Sequence, residues 1–312
     1  MQLFVVVSPG VPSSSSVLCR SPYLQHPVVA GVLPSSRASS TTNPNTTTTA
    51  LTLVPPPLLP HPFSPTSACG DCWAVSAVMT ATDRWCIAHN QTTNPRLSVE
   101  SMVSCCKVCG YGCADGFPNY AWHWLAGQKG TPYGIPTGGN QDDRRWCTKY
   151  TLPFCNHYDT VNDTGLPSCE SGPPDKTPTC PSTCDNDTTY PTPWAQDNHQ
   201  FSSAYAVPAD ETTIMTEIYT HGPVTAGFNV YSDWIHYPVG TGADQIYRPQ
   251  GGTEMGGHAV RIVGWGESKG MKKKYWWIAN SFGEKWGLGG FFKMAKGVGA
   301  AGIEESVVAG LV

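Results

Sequence analysis

Apolar residues at Val75, Val78, Met79, Trp85 and Cys86 recur at helical spacing, which predicts an α-helix after Trp73 with one buried stripe. Far downstream, the stretch from Gly256 to Gly266 alternates into a strand with His258 at its beginning. A second, aromatic strand is predicted from Tyr275 to Asn280, and Trp286-Gly287 and Gly289-Gly290-Phe291-Phe292 follow it. Residues 1–65 carry no such period. They contain no Asp, Glu or Lys, only Arg20 and Arg37, and runs such as Ser13–Ser16, Thr46–Thr49 and Pro55–Pro57. A segment with so few periodic apolar residues cannot offset its chain entropy, so it reads as a disordered leader. Met1–Val7 is a weak signal-peptide candidate, because it lacks a basic start and its apolar run stops at Ser8-Pro9.

The 312 residues suffice for two domains of ordinary size. A net charge of −4 excludes a strongly basic nucleic-acid binder. No apolar run approaches the ~20 residues that cross a bilayer, which excludes an integral membrane protein. The 32 glycines and 28 prolines argue against long helical bundles. Thirteen cysteines, dense between Cys69 and Cys113 and again between Cys147 and Cys184, point to a loop-rich, cross-linked protein. The C-x-x-C of Cys106 and Cys109, beside Cys105 and Cys113, could in isolation hold zinc, yet no second pair follows at zinc-finger spacing. Sequons at Asn45, Asn90, Asn162 and Asn186 are compatible with a secretory route and an oxidising compartment.

The candidate chemistry starts at Cys69-Gly70-Asp71-Cys72-Trp73-Ala74. The predicted helix puts Cys72 in its first turn, where free N–H groups and the helix dipole favour a thiolate. Taken alone, Cys72 is as readily a buried or bridged cysteine. His258 alone is as readily structural. A Cys, a His and an Asn in this order, the last set among aromatic residues, suit a nucleophile, a general base and a base-orienting amide.

With these motifs the chain resembles the papain family of cysteine peptidases, specifically its cathepsin B type, over about residues 67–312. The resemblance extends to the doubled cysteines Cys105-Cys106 with Cys109 and Gly110–Gly116, and to His221-Gly222-Pro223-Val224 leading to Val230–Trp234. It also includes Gly302–Gly310, and a Cys-rich insertion, Cys147–Cys184, where that type carries its occluding loop. The resemblance implies an α+β, papain-like two-lobed fold. Residues 67–203 form a helical, disulfide-rich left lobe, residues 204–312 a β-barrel-like right lobe, and the cleft lies between them. It implies Cys72 as nucleophile, His258 as proton acceptor and Asn280 as its orienting partner, with a thioester acyl-enzyme. The backbone N–H of Cys72 supplies an oxyanion donor. Implied oxyanion and substrate-binding positions are Thr66, Ala114, Asp115, Gly116, Gly257, Trp286 and Ser306, with His157 and Tyr158 in the occluding loop. Implied disulfides are Cys69–Cys113, Cys105–Cys180, Cys106–Cys109, Cys147–Cys184 and Cys155–Cys169.

The chain departs from the family at named positions. The oxyanion Gln falls on Thr66, and losing one such donor costs on the order of 10²–10³ in rate. The Ser before the nucleophile is Asp71, a carboxylate placed to cap the helix but whose charge disfavours a neighbouring thiolate. The adjacent occluding-loop histidines are His157-Tyr158, leaving one cation to hold a substrate carboxylate. The acidic residue of the S2 pocket falls on Ser306, beside Glu305, and the Trp after the catalytic Asn-Ser is Phe282. Cys19 and Cys86 remain without family partners. The features the family carries N-terminal to this point are all missing before Ser67: a clear signal peptide, an inhibitory propeptide, the mature N-terminal segment, the oxyanion Gln and the partner of Cys86. Residues 1–66 therefore read as a stretch foreign to the family's own N-terminus, the rival being a diverged peptidase with a mucin-like leader.

The resulting expectation is a cysteine peptidase, mainly endopeptidase, with reduced dipeptidyl-carboxypeptidase action. The alternatives are a catalytically impaired homologue that binds peptides or inhibitors, and a non-enzymatic disulfide-rich module. No metal or organic cofactor is implied. Expected partners are peptide or protein substrates and cystatin-type inhibitors, with no nucleic acid and no membrane. The chain is expected to be a monomer in a lysosomal, endosomal or extracellular setting.

Overall fold

The computed structural model describes residues 2–4, 67–90, 95–127, 134–157, 165–185, 188–268 and 271–312. Thr66, Tyr158, Cys19 and the sequons at Asn45, Asn162 and Asn186 lie outside them. After a short strand β1 (Gln2–Phe4) come helices α1 (Cys72–Ala88), α2 (Val99–Cys105) and α3 (Pro118–Leu125), then the two-residue strands β2 (Gly138–Gly139) and β3 (Thr148–Lys149). The sheet-rich part follows as β4 (Ser203–Ala206), α4 (Glu211–His221), β5 (Val224–Tyr231), α5 (Ser232–Ile235), β6 (Ile246–Tyr247), β7 (Glu254–Glu267), β8 (Lys274–Ala279), β9 (Phe291–Ala295) and β10 (Val307–Leu311). The helix starts follow local rules. Ser98 caps α2 by accepting from the Ser101 N–H, Pro118 opens α3 where a missing N–H costs nothing, and Asp210 caps α4 through Thr213.

The strands run in the order β4-β10-β5-β7-β8-β9-β6, with β1 paired to β7 off that path. Neighbours are antiparallel except the parallel pair β6–β9. Among the described residues the end strands β4 and β6 do not pair, so the barrel-like expectation gives way to an open sheet.

Two apolar cores result. One gathers Trp73, Trp122, Leu97, Met102 and Leu125 around α1–α3; the other gathers Trp234, Tyr275, Trp276, Trp286 and Phe292 on the sheet. The single buried stripe expected for α1 is corrected. Twelve of its residues are buried, because it runs as a central helix against α2, α3, β5 and β7. Its small polar residues tolerate this by bonding locally, Thr80 Oγ1 to the Ser76 carbonyl (2.7 Å) and Ser76 Oγ to the Trp73 carbonyl (3.3 Å). Bonds between the cores then fix α3 and α1 to the sheet. Trp122 Nε1 donates to Thr225 Oγ1 at 3.0 Å, and the Arg261–Asp83 ion pair closes at 2.9 Å.

Disulfides join Cys69–Cys113, Cys105–Cys180, Cys106–Cys109, Cys147–Cys184 and Cys155–Cys169. The C-x-x-C thiols are thereby spent, which removes the zinc alternative there. Cys86 is bridged as well, which corrects its expected isolation. Gly70 shows why the first bridge needs a glycine. Its N–H donates to the Cys113 carbonyl at 2.8 Å, and a Cβ would meet that oxygen at 2.9 Å.

Candidate active site

Cys72 is the free thiol among the described cysteines, half-buried at the first position of α1. Two backbone N–H groups, from Ala259 and Trp73, are turned to its sulfur. Ala259 follows His258 on β7, so the helix start and the strand meet at these residues, 186 positions apart in the chain numbering from 72 to 258. Burial pushes the thiol up to about 12, and the charges of Asp71 and Asp115 add to the rise against the two N–H groups.

His258 is buried, and its Nε2 faces Asn280 Oδ1 at 2.8 Å. The same oxygen accepts the Ser281 N–H at 2.9 Å. An amide oxygen can only accept, so this contact puts the proton on Nε2 and leaves Nδ1 as the nitrogen free to exchange one. Aromatic rings enclose the imidazole: Phe282 stacked at 5.1 Å between centroids, Trp234 at 5.6 Å and Phe228 edge-on at 5.7 Å. Burial lowers His258 to about 4, the Asn280 bond opposes this, and the charge of His157 lowers it further. Burial thus disfavours a charge on either group taken alone.

Asp71 does not cap α1, contrary to expectation. It is 1% exposed, and its Oδ2 accepts the Tyr150 hydroxyl at 2.7 Å, while Oδ1 is buried without a partner among the described residues. Burial raises its pKa to about 7, with the Glu100 and Asp175 charges adding and the Tyr150 bond opposing. Its carboxyl is thus neutral over much of the range where a free Asp is ionised.

His157 stacks on the outer face of Phe282 at 4.5 Å and 12°, so Phe282 is sandwiched between His157 and His258. Cys155, His157 and Cys169 lie close enough to suggest a metal site, but the two sulfurs are bonded to each other. Ala114, Asp115, Gly257 and Ser306 are exposed and Gly116 is half-buried. The Ser306 carbonyl accepts the Gly227 N–H at 3.0 Å. Trp286 is corrected from a substrate-touching position to an interior one. At 1% exposure it packs on Phe282, Trp234 and Phe292 and supports the rings around His258.

Sequence reasoning missed Tyr150 beneath Asp71, and Asp83 with Arg261. Tyr150 gives no local signal, since 79 positions separate it from Asp71. Arg261 does give one: a cation inside the apolar run Ala259-Val260-Arg261-Ile262-Val263 demands a buried counter-charge.

A profile of papain family cysteine proteases matches residues 61–311. The chain belongs to that family. Within it the chain is cathepsin B-like. It is 41% identical to cathepsin B-like cysteine proteinase 4 of Caenorhabditis elegans over 245 residues, covering 78% of this chain and 68% of that protein. It is 41% identical to a cathepsin B-like cysteine proteinase of Schistosoma japonicum over 247 residues, covering 79% and 67% respectively. Among solved structures, procathepsin B S9 from Trypanosoma congolense aligns with a TM-score of 0.60 at 28% identity, over 80% of this chain and 70% of that one. Procathepsin L 3 of Tenebrio molitor larval midgut shares the fold, with a TM-score of 0.54 at 17% identity, over 80% and 67%.

Proposed function

We propose that the chain hydrolyses peptide bonds with Cys72 as nucleophile, His258 as proton carrier and Asn280 as the amide that orients it, mainly within chains rather than at their ends. The observation that carries this reading is the 2.8 Å contact between His258 Nε2 and Asn280 Oδ1, enclosed by Phe282, with the Cys72 sulfur against the backbone of the next residue, Ala259. Sγ attacks the substrate carbonyl carbon as its proton passes to His258 Nδ1. The C–N bond breaks, and that proton leaves with the amine. Water then adds to the thioester, giving its proton to Nδ1, and the acid departs as Cys72 regains a thiol. The Cys72 N–H, which no backbone carbonyl occupies among the described residues, is aimed as a donor for the oxyanion. Because burial disfavours either charge alone, thiolate and imidazolium form together as the reactive pair.

An epoxide or vinyl-sulfone probe is expected to label folded protein once, at Cys72, and Cys72→Ala not at all. The same preparation is expected to cleave C-terminally amidated peptides within about threefold of free acids, since one imidazole, His157, holds a carboxylate weakly. Absence of labelling on folded protein overturns the peptidase reading. It would favour a peptide-binding homologue, a second reading supported by the buried Asp71 beside the thiol.

Asp71 sets a further expectation. Its folded pKa of about 7 lies above the ordinary carboxylate value, so the carboxyl is neutral below about pH 7 and ionised above. Ionisation disfavours the adjacent thiolate, so kcat/KM should decline as pH rises past 7. Asp71→Ser should remove that decline and raise kcat/KM at pH 8 by roughly tenfold, the yield of about one pK unit. Superimposable profiles for the two proteins would refute this.

The disulfides and the cathepsin B-like relatives support an oxidising setting, lysosomal, endosomal or extracellular. Peptide and protein substrates follow from the family. Cystatin-type inhibitors and a monomeric state complete the proposal. Among the described residues no helix is long and apolar enough to cross a membrane.

A further inference from the structure

Asp115 carries an exposed carboxylate whose Oδ1 accepts the N–H of its own neighbour, Gly116, at 2.6 Å. The surrounding backbone is held in place. Gly116 bridges antiparallel to Gly110, the Asp115 carbonyl accepts the Tyr111 N–H at 2.7 Å, and the Phe117 N–H donates to the Cys109 carbonyl at 2.8 Å. Gly116 also lies flat on Trp73, where a Cβ would meet the indole at 2.5 Å. Trp73 adjoins Cys72, and the Asp115 charge acts on the Cys72 thiol. The strip therefore lines the approach to the nucleophile, and no described cation lies within ion-pair distance of Asp115.

The Gly116 N–H is given to no backbone carbonyl. It is the donor that an extended peptide lying along this strip would take, and the Asp115 carboxylate now occupies it. A bound chain must exchange its own carbonyl for that carboxylate, which is left beside the chain with its charge unmatched. A positive group on the chain restores the lost contact, a neutral group leaves the carboxylate to water, and an acidic group is repelled. We propose that Asp115 is a specificity-determining residue that selects a cationic group, a Lys or Arg side chain or a free α-ammonium, two or three residues before the scissile bond. The position of that bond rests on the peptidase reading above; the preference for positive charge does not.

The test measures Kd in the Cys72→Ser variant, so that binding is read without turnover. The ligands are N-acetylated peptide amides with Lys, norleucine or Glu at the second or third residue before the bond, and the norleucine peptides with a free amine. Lys is expected to bind about threefold to fivefold tighter than norleucine at low salt, the yield of one exposed ion pair. The difference should fade at about 1 M salt, where screening lengths shrink to ~3 Å. Adding Asp115→Asn, which keeps an acceptor for the Gly116 N–H but no charge, should bring the Lys and norleucine values together. If acetylated Lys gains nothing while the free amine does, the site reads an α-ammonium, and the selection of cations stands. Equal affinities for all cationic and neutral ligands, or a cation preference that survives Asp115→Asn, overturns it. If Cys72→Ser discriminates as described while the parent protein cleaves none of the peptides, the peptidase reading fails and the Asp115 assignment remains.

Discussion

His258→Ala should lower kcat/KM by about 10⁴, a loss of ~5.5 kcal/mol in transition-state stabilisation. The size follows from the resting state of the pair. Burial holds the Cys72 thiol near 12, so without a base to take its proton only about one part in 10⁵ is thiolate at pH 7. The residual rate should therefore climb tenfold per pH unit as solvent hydroxide replaces imidazole, while the parent protein declines above pH 7 as Asp71 ionises. KM should change little, because the imidazole is buried among Phe228, Trp234 and Phe282. Asn280→Ala should cost less, about 10², and shift the ascending limb to lower pH, since the Asn280 bond raises the His258 pKa. Stopped-flow and steady-state rates on a fluorogenic peptide from pH 3 to 10 decide it. A His258→Ala protein within tenfold of the parent, or one whose residual rate ignores pH, would place the base elsewhere.

What one sequence discloses about such a site depends on the range over which the interactions act. The α1 helix, the strands β7 and β8, and the placing of Cys72 and Asn280 at element ends were legible, because helix and strand periods are set by neighbours within a few positions. Strand β7 starts at Glu254, so His258 lies inside it rather than at its beginning. The surroundings that tune those groups were not. Asp71 reads locally as a cap, yet Tyr150, 79 positions on, takes its oxygen and leaves it buried. Trp286 is a substrate-binding position by family resemblance, yet the rings of Trp234, Phe282 and Phe292 draw it inside. The burial of α1 on nearly all sides is likewise invisible in its apolar spacing, since Ser76, Thr80 and Thr82 are polar residues that satisfy themselves within or beside the helix. Family resemblance supplied what local reading could not for the cysteines, whose pairings span up to 75 positions.

Arg84→Ala should cost about 3–5 kcal/mol of stability, the range for removing one partner of a buried, hydrogen-bonded ion pair. Arg84 sits in α1, twelve residues beyond Cys72, and is 2% exposed. Its guanidinium donates to the carbonyls of Pro223 (2.6 Å), Gly310 (3.0 Å) and Gly222 (3.2 Å), to Glu217 Oε1 (2.8 Å) and to the Tyr205 hydroxyl (3.4 Å). One side chain thus ties α1 to the end of α4, the start of β5, and strands β4 and β10. Alanine would leave these carbonyls and Glu217 without their donor in a region closed to water, while Tyr205 would keep its own bond to Glu217 at 2.6 Å. Lysine should recover less than half of the loss, because a single ammonium cannot fork to acceptors on several elements. Glu217→Gln should be milder, about 1–2 kcal/mol, since an amide oxygen still accepts from Arg84. For a domain of this size the alanine change corresponds to a drop in Tm on the order of 10 °C, read by calorimetry with urea titration as the second measure. Because the same contacts hold the nucleophile's helix against the sheet that carries His258, the loss of Arg84 should also slow turnover well below Tm without altering the pH profile. A cost under about 1 kcal/mol would mean that other contacts, with Arg261–Asp83 foremost, suffice to hold α1 in register with β7.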